Sequence, residues 1–584
     1  MAGQITRICE AILQQIKTDH NGPSGQRLSW SVLIWLAIFL MPSACQTQQV
    51  TSDPVITTTS PRPVPLLAGR FLAARQASYF NDVSASAGFY LDALQQDERN
   101  PELLQQAFLT QYRNGNIDMA AALARQLESI NIKAPFTVEP AIAHAVTAAD
   151  WDAVIVLSDQ LAEDITATPL AGVIKSWALV ATGQGDAGLA QLADSGKILA
   201  HDKNGLPSFI QVQLALMAEY LGYQDEAVDI AAHLARSPAV PAKTAMQTAG
   251  ILIRGQQPKT ANDLLDKLPY SFDPNVIGTH QFDPPSNLAE FIANAIIDAA
   301  LAYRDPQFIS MVPARLQLAL YLDPTNDAAR FFLAQSWFEL EQYDRARSTL
   351  SKITDTSLWA LPHLLLLNDI DIRTDNINTA IEQFHAYVIG RPDNGYLFKE
   401  LGDLYRHNEQ YEQARDAYLQ AIETGFDSAH LYRNLAISHE RLDEDQQAEI
   451  HFKAALARDP DDPFTLNYLG YWWAESGRHL TQAIQLIEQA VRLRPDSGFF
   501  VDSLGWVHYQ LGNYQLAVEF LEKATMLEPE DAVIIAHLGD AYWQTNRHNE
   551  AQYKWRYAAQ ITKDSALQAD LEKKLASGLP MAGH

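Results

Sequence analysis

Cysteine is nearly absent from this chain: Cys9 and Cys45 are the only two in 584 residues. Everything beyond Cys45 therefore lacks disulfides and cysteine metal sites. Positive charge is also short, with 43 Lys and Arg against 70 Asp and Glu and a formal charge of −27. A nucleic-acid binder needs a basic stripe to displace counterions, and general adhesion to anionic lipid needs the same sign, so both are excluded. The apolar run Trp30 to Met41 has 12 residues, where a membrane span takes about 20. Catalytic signatures are missing too. The 16 histidines form no H-E-x-x-H, and there is no G-x-S-x-G and no phosphate loop.

Two local patterns imitate sites and fail on chemistry. Asp369, Asp371 and Asp375 suggest a calcium loop, which needs Gly and Glu where this chain has Thr374 and Ala380. Gly183 to Gly188 matches G-x-G-x-x-G, yet it follows the helix-like run Ala171 to Thr182 and not the strand a dinucleotide fold requires. It reads as a turn between two helices. No enzyme activity, cofactor, metal or nucleic acid is expected.

What the chain does have is a period. From Asp461 to Pro529, Gly470 is followed by Trp473, Ala483, Ile487, Ala490 and Pro495. Then Gly505 is followed by His508, Ala517, Leu521, Ala524 and Pro529. Each unit reads as two short amphipathic helices, A and B, with a turn between them. This resembles the tetratricopeptide repeat (TPR) family, whose period is about 34 residues. In that family small residues on A and B let the pair pack closely, and a proline ends helix B. The resemblance implies an all-α solenoid, a right-handed superhelix of about 13–14 units, acting as a scaffold.

The small residue on helix B serves as a ruler. It falls at Ala346, Ala380, Ala414, Ala448, Ala483, Ala517 and Ala551, in steps of 34 or 35. The helix A partner keeps pace at Ala334, Gly402, Ala436, Gly470, Gly505 and Gly539; Asn368 breaks the series. Upstream the ruler is less regular: Ser86, Ala120, Val154, Ala190, Ala227 and Ala261, with a further unit near Val312. About 17 residues beyond one period lie between Ala261 and Val312. They are placed in 270–286, which holds Asp273-Pro274 and Asp283-Pro284, as a loop or hinge between a divergent array, 66–269, and a regular one, 287–561. In 562–584, Leu567, Leu571 and Leu575 share one face, as a capping helix requires.

The N-terminus carries a different signal. Residues 1–29 are polar with Arg7, Lys17 and Arg27, followed by the apolar run and Pro42-Ser43-Ala44-Cys45. That is the shape of a secretory signal over 1–44. The Ser-Ala-Cys end resembles a bacterial lipobox, which implies lipidation at Cys45. Pro42 departs from the usual residue, and the region before the apolar run is long. An ordinary signal peptide or an uncut anchor stays open. Residues 45–65, rich in Thr, Ser, Gln and Pro, read as a flexible tether.

By resemblance, helix A lines a concave groove at its second, fifth, sixth, ninth, twelfth and thirteenth positions. These place Arg433, Asn434, Asn467, Tyr468, Tyr471, Asp502, Trp506, Tyr509, His537, Asp540 and Trp543 in a partner-binding groove, with Phe464, Phe499 and Val533 at second positions. Aromatics with polar tips suit binding hot spots; they equally suit packing between helices, and both readings stand here. Lys399 is present but Asp403 stands where a carboxylate clamp needs Asn. Size and layout resemble outer-membrane TPR lipoproteins that recruit periplasmic proteases or envelope-assembly complexes, which implies a periplasm-facing adaptor for protein or peptide partners. Two alternatives remain: an accessory protein for glycan export or glycosyl transfer, and a scaffold anchored in the inner membrane.

Overall fold

A computed structural model describes residues 67–163, 168–199, 206–237, 240–268, 287–302 and 311–580. The expected signal peptide, Cys45, the tether and the 270–286 insertion lie outside the described residues. Among those described there are 29 helices and no strands. Twenty-eight of them pair into 14 antiparallel hairpins, from Leu67–Tyr79 with Val83–Leu94 to Ala532–Gln544 with His548–Ile561. The last helix, Ser565–Ser577, closes the end, with Leu571 fully buried against the final hairpin.

Local chemistry fixes the hairpins. Helix A begins on a side-chain cap at Asn100, Asn326, Asn394, Ser428, Asp462 and Asp531, each accepting from a backbone N–H of the first turn. It ends in a residue with positive φ that reverses the chain: Gly115 at 82° and Gly512 at 77°, but also Glu409 at 57° and Asp443 at 58°. The ruler positions are the fourth residues of helix B. Ala346, Ala380, Ala414, Ala448, Ala483, Ala517 and Ala551 are all 0% exposed, as are Ser86, Ala120, Val154, Ala227 and Ala261. On helix A, Ala334 and Ala436 are equally buried. A Cβ on Gly402 would come 2.5 Å from the Tyr418 ring, on Gly470 2.9 Å from the Ala483 carbonyl, and on Gly505 2.6 Å from Leu521. Close approach of A to B is what these positions supply.

Two upstream positions need correction. Ala190 is exposed; the fourth residue of helix Gly185–Leu199 is Gly188, where a Cβ would meet the Ser176 carbonyl at 2.7 Å. The preceding element is the helix Thr168–Ala181, so the glycine-rich stretch is an interhelical turn. In the unit near Val312, helix Val312–Leu322 carries Arg315 at the fourth position, and its partner helix is Leu288–Ala302.

Arg315 explains a feature that the period does not carry. Its guanidinium pairs with Glu139 at 2.8 Å, 176 residues away. Tyr321 donates to Asp118 at 2.8 Å and Gln342 to the Asn81 carbonyl at 2.7 Å. The first eight hairpins thus wind back on themselves. Their interior is filled by helix Leu288–Ala302: Phe291 stacks on Trp177 with centroids 4.3 Å apart, and Asp298 accepts from Lys243 at 2.6 Å and Gln213 at 2.8 Å. One continuous core runs from Ala74 to Ile370. The expected division into arrays 66–269 and 287–561 therefore does not divide the core, because helix Leu288–Ala302 packs into the hairpins before it. Beyond Ile370 the core breaks into smaller clusters, none drawing on more than three hairpins.

Candidate functional site

After the closed turn, the first helices of successive hairpins run side by side. Helices Pro463–Glu475, Gly498–Gln510 and Ala532–Gln544 touch one another in succession, as do Gly395–His407 and Ala429–Arg441, while the second helices of neighbouring hairpins splay apart. The first helices accordingly lie on the inside of the curve. Side-chain bonds stitch them together: Asn434 Nδ2 to Asp403 at 2.7 Å, Tyr468 Oη to Glu440 at 3.0 Å, and His537 Nδ1 to Asp502 at 2.9 Å. The sequence placed all of the partner-groove residues on these helices, and it is these bonds between neighbours that it did not reveal.

The bonds sort the expected groove residues into three groups. Some serve the joints between hairpins. Asn434 is buried on Asp403, which also takes Lys399 at 2.8 Å and the Tyr418 hydroxyl at 2.6 Å. Burial alone would raise the Asp403 pKa; Lys399 and the hydrogen bonds outweigh it and hold the carboxyl below its usual range. Lys399 is thereby committed and forms no carboxylate clamp. Arg433 reaches the cap of the next hairpin, Asp462, at 2.8 Å. Tyr468 stacks on Phe452 at 5.4 Å, so it belongs to packing.

A second group is taken by the chain's own C-terminus. Asp540 accepts from Trp555 Nε1 at 2.7 Å and from Lys574 at 2.8 Å. Burial raises its pKa, and Lys574 and His537 pull against that. Trp543 donates its Nε1–H to the Leu579 carbonyl at 2.8 Å and stacks on His548 at 4.2 Å. Sequence reasoning placed both in an open groove and missed this tail. The signal was available in Gly578, a helix-ending residue set directly after the leucine-faced cap.

The third group faces the groove. Tyr471 is half-buried, its hydroxyl donating to Glu475 at 3.0 Å; burial and then that carboxylate push its pKa upward. Trp506 is stacked between the rings of Tyr509, at 4.8 Å and 4°, and His537, at 4.0 Å and 18°. Tyr509 has its pKa raised to about 12, by burial first and the Asp540 charge second. Burial would lower the His537 pKa, but Asp502 reverses this and raises it, and the imidazole ring lies against the indole face. Within this group Asn467 Oδ1 and Trp506 Nε1 are buried and have no hydrogen-bond partner. Beside the groove, Phe464, Phe499 and Val533 are 51%, 53% and 46% exposed and form an apolar row at the starts of three successive first helices.

Comparison with known proteins identifies the repeat. Models of the tetratricopeptide repeat match residues 373–429, 399–463 and 502–531. A TPR repeat-containing protein of Pseudomonas aeruginosa is 26% identical over 187 residues, which is 32% of each chain; this chain thus spans about a third of that relative's length. Among solved structures, Cut9-Hcn1 of the APC/C hetero-tetramer is 15% identical, with 88% of this chain and 97% of that one covered and a TM-score of 0.38. The pilF protein of Pseudomonas aeruginosa is 24% identical, with 32% and 85% covered and a TM-score of 0.29. The repeats are of the kind that binds other proteins, and the fold is typically a non-catalytic scaffold.

Proposed function

We propose that this tetratricopeptide-repeat chain is a cell-envelope scaffold that holds an extended segment of a partner protein along the inner face of residues 395–561. The observation that carries this reading is the apolar row Phe464, Phe499 and Val533, 51%, 53% and 46% exposed at the starts of three successive first helices. Tyr471, Trp506 and Tyr509 beside them offer large ring area at little entropy cost. Attachment is the second part of the proposal. The signal-like residues 1–44 and Cys45 support a lipid anchor on the periplasmic side of the outer membrane, with the tether leading to the repeats. An adaptor so placed recruits a periplasmic protease or an envelope-assembly complex.

One purification tests both parts. The chain is cross-linked in its own envelope, purified, and compared with Tyr471→Ala/Trp506→Ala and with Cys45→Ser. Loss of one hot-spot ring costs about 2 kcal/mol or more in binding, so the double variant is expected to recover roughly 30-fold less partner while its helical circular dichroism is unchanged. Cys45→Ser is expected to leave the membrane fraction and still hold the partner. Undiminished partner recovery in the double variant defeats the groove reading; a Cys45→Ser chain that stays with the membrane defeats the lipid anchor.

A further inference from the structure

The cap helix Ser565–Ser577 buries Leu571 against the last hairpin, with Leu567, Leu575 and, beyond the helix, Leu579 packed on the same cluster. The chain nevertheless continues, turns sharply and enters the groove. Gly578 has φ 67° and ψ −173°, a conformation open to glycine, and a Cβ there would lie 2.1 Å from the Trp543 ring. Two successive carbonyls are then read by side chains. Trp543 Nε1 donates to Leu579 O at 2.8 Å, and Gln544 Nε2 donates to Pro580 O at 3.0 Å. Trp543 and Gln544 are the twelfth and thirteenth positions of the last first helix, and Tyr509 and Gln510 hold those positions one hairpin earlier.

We propose that Trp543 and Gln544 form a binding site for an extended peptide read at its backbone carbonyls, and that Gly578-Leu579-Pro580 occupies it as a ligand in cis. The ligand class follows from the contacts. The first residue lies against the indole with no room for a side chain, the second is held through its carbonyl and by its side chain on the apolar cluster of the last hairpin, and the third through its carbonyl. Proline at the third place removes a backbone N–H that the site does not use. A tail held covalently acts at an effective concentration in the millimolar range or above, so a free peptide competes poorly with it. An external segment lying in the groove meets the tail at the last hairpin, and the two exclude each other there. This rests on the groove reading of residues 395–561 and defines where the groove ends.

The probe is the fluorescein-labelled, amidated peptide of residues 576–580, Ala-Ser-Gly-Leu-Pro, followed by fluorescence anisotropy. A chain ending at Ser577 is expected to bind it at least tenfold more tightly than the full chain, and to reject the same peptide with Ala in place of Gly. Full-length Gly578→Ala, which keeps every other residue, is expected to gain the same binding and covers the case in which the shortened chain fails to fold. Equal binding by shortened and full chains, no binding by either variant, or indifference to the Gly-to-Ala change in the peptide overturns the proposal. None of these outcomes depends on Tyr471 or Trp506. A failed groove therefore shows in partner recovery, and a failed tail site shows only here.

Discussion

Arg315→Ala is expected to destabilise the chain by about 3–5 kcal/mol, the cost of removing one partner from a buried ion pair. Arg315 and Glu139 are 5% and 1% exposed. The change leaves a buried carboxylate facing the Tyr112 hydroxyl, which cannot neutralise it. Burial and the Glu139 charge already push that phenol's pKa far upward, so it stays protonated and offers a hydrogen bond only. The lost pair is also the tie between the third hairpin and the seventh. Hydrogen exchange should therefore quicken in Val138–Leu161 and Val312–Leu322 together while hairpins after Ile370 keep their protection. Urea unfolding of the closed half measures the energy. A loss under about 1 kcal/mol would mean that the closed turn stands without this pair.

Trp555→Ala is expected to cost a similar amount, about 3–5 kcal/mol, at the other end of the molecule. Trp555 is wholly buried beneath Gly539, whose missing Cβ would lie 2.5 Å from the indole. Its Nε1–H also answers Asp540. Removing the ring opens a cavity and takes one of two strong donors from a buried carboxylate, leaving Lys574 alone to hold it. The last hairpin and cap should melt ahead of the rest, giving a separate early transition in calorimetry. Trp555→Phe fills most of the space without the N–H, so it should recover the packing part and leave Asp540 short of a donor. A single unshifted transition for Trp555→Ala would contradict the packing described for this end.

These two residues mark what a linear sequence can and cannot reveal. Trp555 sits under a glycine of the period, and its burial follows from the spacing of Gly539 and Ala551. The ruler works because A and B of one hairpin are adjacent in sequence and their close approach demands small residues. Arg315 occupies a ruler position with a large charged residue, and its reason lies 176 residues upstream. No local pattern carries that. Gly188 was hidden by a similar limit: it stands two residues before Ala190, and only the Ser176 carbonyl above it shows which of the two is in contact. In the groove, helix A positions were legible from the repeat. Their state was not, because Asn434, Asp502, His537 and Asp540 are satisfied by residues on neighbouring elements. Tyr471, Trp506 and Tyr509 remain as the groove-facing rings after that subtraction. The tail over Trp543 was illegible because it obeys no repeat.

The most direct measurement of the central claim uses a photo-reactive residue. Benzoylphenylalanine is placed in the full chain at Tyr471, on the inner face, or at Ile450, 55% exposed on the second helix of the preceding hairpin. Each chain is irradiated in its own cells. The account predicts a discrete protein adduct from position 471 and none from position 450. An adduct from position 450 with position 471 silent would contradict it.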